Sequence, residues 1–177
     1  MADLFQKITD SRNLIEKIGA AIPGFKGYAD RNSRRDADKL LRETVATRFE
    51  QQWSRISGLQ RDLINQGSIE AVDDLEAAAI KLRTFIDRVR TASYGYAGFF
   101  DAIKVNETEL VKIYQFDASL LDRAVQLSAA VDNVATSMGS DGLPAAIRNV
   151  ATLAQDAIDA FQGRNELILG SNAPASQ

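Results

Sequence analysis

Between Ala29 and Gln66 the chain has no proline and a single glycine, Gly58, while apolar residues return every third or fourth position at Leu41, Val45, Phe49, Trp53, Ile56, Leu59 and Leu63. That spacing lays one apolar stripe along a helix of 3.6 residues per turn, and nothing in the run interrupts the backbone ladder. It predicts a helix that starts near Gly27 to Asp30 and stops at Gln66-Gly67, about forty residues or about 60 Å at 1.5 Å per residue. Gly58 inside it costs about 1 kcal/mol relative to alanine. A helix of this length has to bury its stripe on partners of comparable length.

The rest of the chain supplies them. Asn65-Gln-Gly67 reads as a helix end and Ser68 as an N-cap, so the next helix turns straight back as an antiparallel neighbour. Its seam is Ile69, Val72, Leu75, Ala79, Leu82, Ile86 and Val89. A further pair follows, with the seam Leu110, Ile113, Phe116, Leu120, Ala124, Leu127, Val131, Val134 and Met138, a turn at Gly139-Ser-Asp-Gly142, and the stripe Leu143, Ile147, Val150, Ala154, Ala157 or Ile158, and Phe161. Before all of these, Leu4, Ile8, Ile15, Ile18 and Ile22 mark an amphipathic helix that Pro23-Gly24 ends. No segment alternates with period two, so the fold class is all-α: an elongated antiparallel bundle of two long helical hairpins plus an amphipathic N-terminal helix. The expected organisation is one domain over 1–169, with helix one at 2–20, hairpins at 27–93 and 106–163, a loop at 94–105 between them, and a disordered tail at 170–177.

Composition restricts the chemistry. With no cysteine there is no disulfide, thiolate metal site or thiol nucleophile, and a reducing, cytoplasmic setting fits best. With no histidine the commonest general base and metal ligand are missing too, and the Glu-x-x-His motif of carboxylate di-metal bundles is impossible. Acid pairs such as Asp73-Asp74 and Asp36-x-Asp38 read as solvated charge and helix-dipole partners. No metal, cofactor or catalytic residue is therefore expected, and the chain reads as a non-enzyme. Twenty-one basic residues against 24 acidic ones give a net charge of −3, which exerts no general pull toward nucleic acid.

One region departs from that balance. Lys26, Arg31, Arg34, Arg35, Lys39 and Arg42 stand against Asp30, Asp36 and Asp38, a local +3 that leaves −6 for the rest of the chain. It opens on the glycine-rich corner Ile22-Pro-Gly-Phe-Lys-Gly-Tyr28, and a second glycine-aromatic segment, Tyr94-Gly-Tyr-Ala-Gly-Phe-Phe100, lies after helix three. Closing the hairpin at Gly67 sets residue 94 about level with residue 40, so the two segments meet at one end of the bundle. The expected partner or anion site there is Lys26, Gly27, Tyr28, Arg31, Arg34, Arg35, Tyr94 and Tyr96; the competing reading is a packing plug of rings.

The opening Leu4-Phe-Gln-Lys-Ile8 resembles the amphipathic N-terminal helix of peripheral membrane proteins of the phage-shock and vesicle-inducing families, which also precedes a long helical hairpin. The resemblance implies contact with a membrane surface. Against it, Lys7, Arg12, Lys17 and Lys26 are nearly balanced by Asp3, Asp10 and Glu16, which predicts a bundle helix. The expected function is a helical scaffold, adaptor or assembly subunit that acts through a protein partner or self-association, with lipid binding through helix one as the alternative.

Overall fold

The computed structural model describes residues 2–27, 34–92 and 107–170, and every regular element among them is helical: α1 (Ala2–Ala21), α2 (Arg34–Asn65), α3 (Ile69–Thr91), α4 (Glu107–Ser137) and α5 (Leu143–Gly170). The expected loop at 94–105 and the tail beyond Gly170 lie outside the described residues, as does the start of the second helix before Arg34.

The α2–α3 turn follows from one residue. Gly67 takes φ of +76°, a conformation that costs glycine nothing. Its N–H donates to the Ile64 carbonyl at 3.0 Å and the Ser68 N–H donates to the Leu63 carbonyl at 3.0 Å, the paired bonds of a Schellman end. Ser68 occupies the N-cap of α3 but makes no side-chain capping bond, so the expected serine cap is corrected: the turn rests on the backbone bonds around Gly67. Above the turn the register is held by Gln60 donating to Glu76 at 2.6 Å, Arg83 lying 5.5 Å over the Trp53 ring, and Arg90 pairing with Glu50 at 2.5 Å. The hydrogen bond from Arg90 and its charge hold the Glu50 carboxyl below the ordinary range. What that pair adds to stability is therefore present above the carboxyl's unfolded pKa and is lost as pH falls through the lowered folded value.

α2 packs on α3 and α4, and α5 packs on α3 and α4, so the four helices form a square in the order α2, α3, α5, α4. Arg55 of α2 pairs with Asp132 of α4, and Asp38 and Asp117 share one partner nearer the start of both helices, so α2 and α4 run in the same direction. The two antiparallel hairpins thus lie side by side. Phe85 sits at the centre, its ring 4.3 Å from Phe49 and 6.1 Å edge-on from Phe161, with all three fully or nearly fully buried.

α4 carries two apolar stripes. Ile113, Leu120, Leu127, Val131 and Val134 lie on the predicted seam and face the square, while Tyr114, Ala118 and Leu121 form a second buried line on the same helix. α1 packs on α4, joined by Lys17 to Asp122 at 2.7 Å, and Arg48 of α2 donates to the Ala21 carbonyl at 2.5 Å. Ile18 and Ile22 are buried there, which makes this end of α1 part of the bundle wall.

One boundary is corrected. α5 does not fray after Gly163 but runs to Gly170, because Arg164 and Ile168 continue its buried stripe and both are completely enclosed. Gly163 serves packing: a Cβ there would lie 3.2 Å from Cε1 of Phe116, so its absence lets that ring rest on α5.

Phe85→Ala is expected to lower stability by about 3 to 5 kcal/mol, the cost of emptying a close-packed aromatic site. Val125→Ala, on a side chain 64% exposed, should stay within about 0.5 kcal/mol in the same urea titration.

Candidate functional site

Asp38 stands one turn before Arg42 on α2, on the edge of the stripe that Ala37, Leu41 and Val45 carry into the core. Asp117 stands four residues after Ile113 on α4, and Arg164 three after Phe161 on α5. Each helix therefore turns a charged residue inward at the level where α2 and α4 begin and α5 ends. Arg164 and Asp117 are 0% exposed, Asp38 2% and Arg42 7%. The reading of Asp38 as a solvated helix-opening acid is corrected: it faces the interior.

The four side chains form one chain of alternating charge. Arg164 donates from Nε to Asp117 Oδ1 and from Nη2 to Asp38 Oδ1, both at 2.7 Å. The other oxygen of Asp38 accepts from Arg42 Nε at 2.7 Å, and Arg42 Nη1 reaches the Val89 carbonyl of α3 at 3.4 Å. All four helices of the square thus meet in one polar layer, and two carboxylates balance two guanidiniums. Burying an isolated ion costs several kcal/mol, and charge-assisted bonds at this distance offset the cost only when each charge faces an opposite one. The layer can fix register.

The residues expected from sequence divide around this layer. Lys26 and Arg35 are exposed and Arg34 is half-buried. Gly27 is buried with φ of +78°, and a Cβ on it would lie 2.7 Å from the Tyr114 hydroxyl, so it holds the α1 corner against α4. Phe25, 8% exposed, packs into the core beside it. Tyr28, Arg31, Tyr94 and Tyr96 lie outside the described residues. Arg42, counted among the cations of the basic opening, belongs to the buried layer, as does Asp38 among its acids. Lys39 lies 3.8 Å from Glu43 on the solvent face. Sequence reasoning missed Asp117 and Arg164 altogether, although both stand at seam spacing. Among the described residues no group of carboxylates has the arrangement of a metal site, and no helix is long and apolar enough to cross a membrane. Comparison of the chain with protein-family models, curated proteins and solved structures finds no match in any of the three.

Asp117→Asn should destabilise by about 3 to 5 kcal/mol, because it leaves two buried guanidiniums, Arg42 and Arg164, to share the one carboxylate of Asp38. Replacing all four members together by apolar residues of similar volume should recover most of that loss in chemical denaturation, since no charge is then stranded. A quadruple variant less stable than Asp117→Asn would contradict this account of the layer.

Proposed function

We propose that this protein is a non-enzymatic helical scaffold or assembly subunit that holds an acidic protein partner at the basic opening of α2. The observation that carries the reading is the separation of charges at this end. Arg42 and Arg164 are paired inside the bundle, while Lys26 and Arg35 are exposed at its surface. Because buried ion pairs tie the helices of this end to one another, the backbone beneath the cations needs little ordering on binding, and electrostatic attraction of this kind gives orientation and a fast approach. A reducing cytoplasmic setting fits the absence of cysteine. Contact with lipid through α1 has less support, because Ile18 on that helix and Ile22 just after it are already buried in the bundle.

Charge reversal tests the reading. A partner recovered with the wild-type protein from its native cell should bind the Lys26→Glu/Arg35→Glu variant more weakly by about 1 to 2 kcal/mol per contact, with the difference shrinking at high salt and the melting temperature unchanged. Equal binding by both proteins, or co-sedimentation of the wild type with anionic vesicles that deletion of residues 2–21 abolishes, would replace it.

A further inference from the structure

α1 is tied to the bundle differently from the other four helices. Each helix of the square packs on two neighbours within it, whereas α1 packs on α4 and meets α2 through the hydrogen bond from Arg48 to the Ala21 carbonyl. The aromatic centre of Phe49, Phe85 and Phe161 and the four charges of the polar layer all belong to the square. The interactions that fix the square therefore do not involve α1.

The floor beneath α1 is the second line of α4. Gly27, shortly after the helix, lies against the Tyr114 hydroxyl, and Lys17 pairs with Asp122 at 2.7 Å. Ala118 is four residues from each, midway on the face that α1 covers with the help of Ile18 and Ile22. Leu121 continues this line and is buried, but Val125, four residues further, is 64% exposed. Coverage by α1 thus ends within a turn of Leu121. The Lys17–Asp122 pair at this edge is half exposed on both sides, 52% and 49%, so salt screens it.

Lys26 is placed by the same contacts. It is exposed, yet both its neighbours are buried: Phe25 packs into the core, and Gly27 sits beneath Tyr114, where a Cβ would also lie 3.7 Å from Cγ2 of Ile15 on α1. Arg35 stands instead on α2, which Asp38 and Arg42 fix within the layer. The two exposed cations of the basic opening therefore hang on different anchors, one on the docking of α1 and the other on the square.

We infer that α1 is a strap with two positions. Docked, it holds Lys26 at the end where Arg35 stands and completes the basic opening; released, it takes Lys26 away while the square stays folded. This regulation rests on the acidic-partner reading above. Since the docked form alone presents both cations, an acidic partner draws the strap closed, and closing the strap strengthens the partner's binding by the same factor. An element tied chiefly to one neighbour belongs to the low-stability end of a fold, where opening occurs without global unfolding.

Because the chain has no cysteine, an introduced thiol can report on the strap in the whole protein. Ala118→Cys places one beneath α1, and Ala154→Cys, at a position 0% exposed within the square, is the reference. With a soluble disulfide reagent, the thiol at position 118 should react about a hundredfold or more faster than that at 154. Adding Lys17→Glu, which sets like charges together at Asp122, should speed position 118 about tenfold further and leave 154 unchanged. Poly-glutamate, used as the acidic probe, should slow reaction at 118 about tenfold at saturation. Lys26→Glu should abolish that slowing without changing the rate in the absence of probe, whereas Arg35→Glu should weaken probe binding and keep the slowing at saturation. Equal rates at 118 and 154 would mean that α1 opens only with the whole fold, and would overturn the strap. A probe that binds but leaves the rate at 118 unchanged would overturn the coupling. A probe that does not bind the wild type would overturn the acidic-partner reading and the coupling with it, and the two rates alone would still decide the strap.

Discussion

The positions of the four helices of the square are tied to where the Arg164 guanidinium goes. It lies completely buried near the end of α5, and it holds Asp117 of α4 with one nitrogen and Asp38 of α2 with another. Apolar seams alone do not fix such an arrangement, because leucine, isoleucine and alanine lines slide by a turn at modest cost and tolerate repacking. A buried ion pair is far less forgiving: a shift of one turn, about 5.4 Å, separates the partners and strands both charges. The layer therefore sets the axial register of α2, α4 and α5 together, and Arg42 extends that control to α3 through the Val89 carbonyl.

The diagonal of the square makes this clearer. α2 and α5 are not packing neighbours, yet Arg164 spans the interior between them to reach Asp38. Arginine suits the task, since its long stem crosses apolar surroundings and its planar head offers donors on several edges. The same end of the bundle receives α1, whose corner is fixed by Gly27 beneath Tyr114. Tyr114 and Asp117 are three residues apart on α4, one turning toward α1 and the other toward the square, so a single turn of helix links the outer helix to the inner layer.

The helices were legible because their periodicity is strong and their turns carry glycine: the two hairpins and the helical class follow from residues such as Leu82, Leu127 and Gly67, while the square they form together does not. The polar layer was not, and the reason lies in how charge is read along a single helix. Asp38 beside Asp36 and Arg42 has the look of a solvated opening, and Gly163-Arg164 has the look of a frayed end. Only the positions themselves carried a signal. Asp117 and Arg164 continue their seams at intervals of four and three, and Ile168 resumes the stripe of α5 beyond the charge. Opposite charges at seam spacing on three helices form a pattern visible only once those helices are set side by side. The basic opening was legible as composition, but the division between Arg42, buried in the layer, and Arg35, exposed, was not: seven residues apart, about two turns, they lie near one face of α2 and differ in level along it.

The layer also bears on how the hairpins can pair. Each hairpin carries one acid and one base inward, Asp38 with Arg42 and Asp117 with Arg164, so neither has a net internal charge. Pairing two α2–α3 hairpins through their inner faces would bury Asp38 Oδ1 without Arg164, and pairing two α4–α5 hairpins would bury Arg164 Nη2 without Asp38. A buried polar atom deprived of its partner costs about 1 to 3 kcal/mol, more when it is charged, and two-fold pairing would incur the loss twice. Inner faces are thereby committed to the unlike hairpin. The interior therefore keeps a single arrangement.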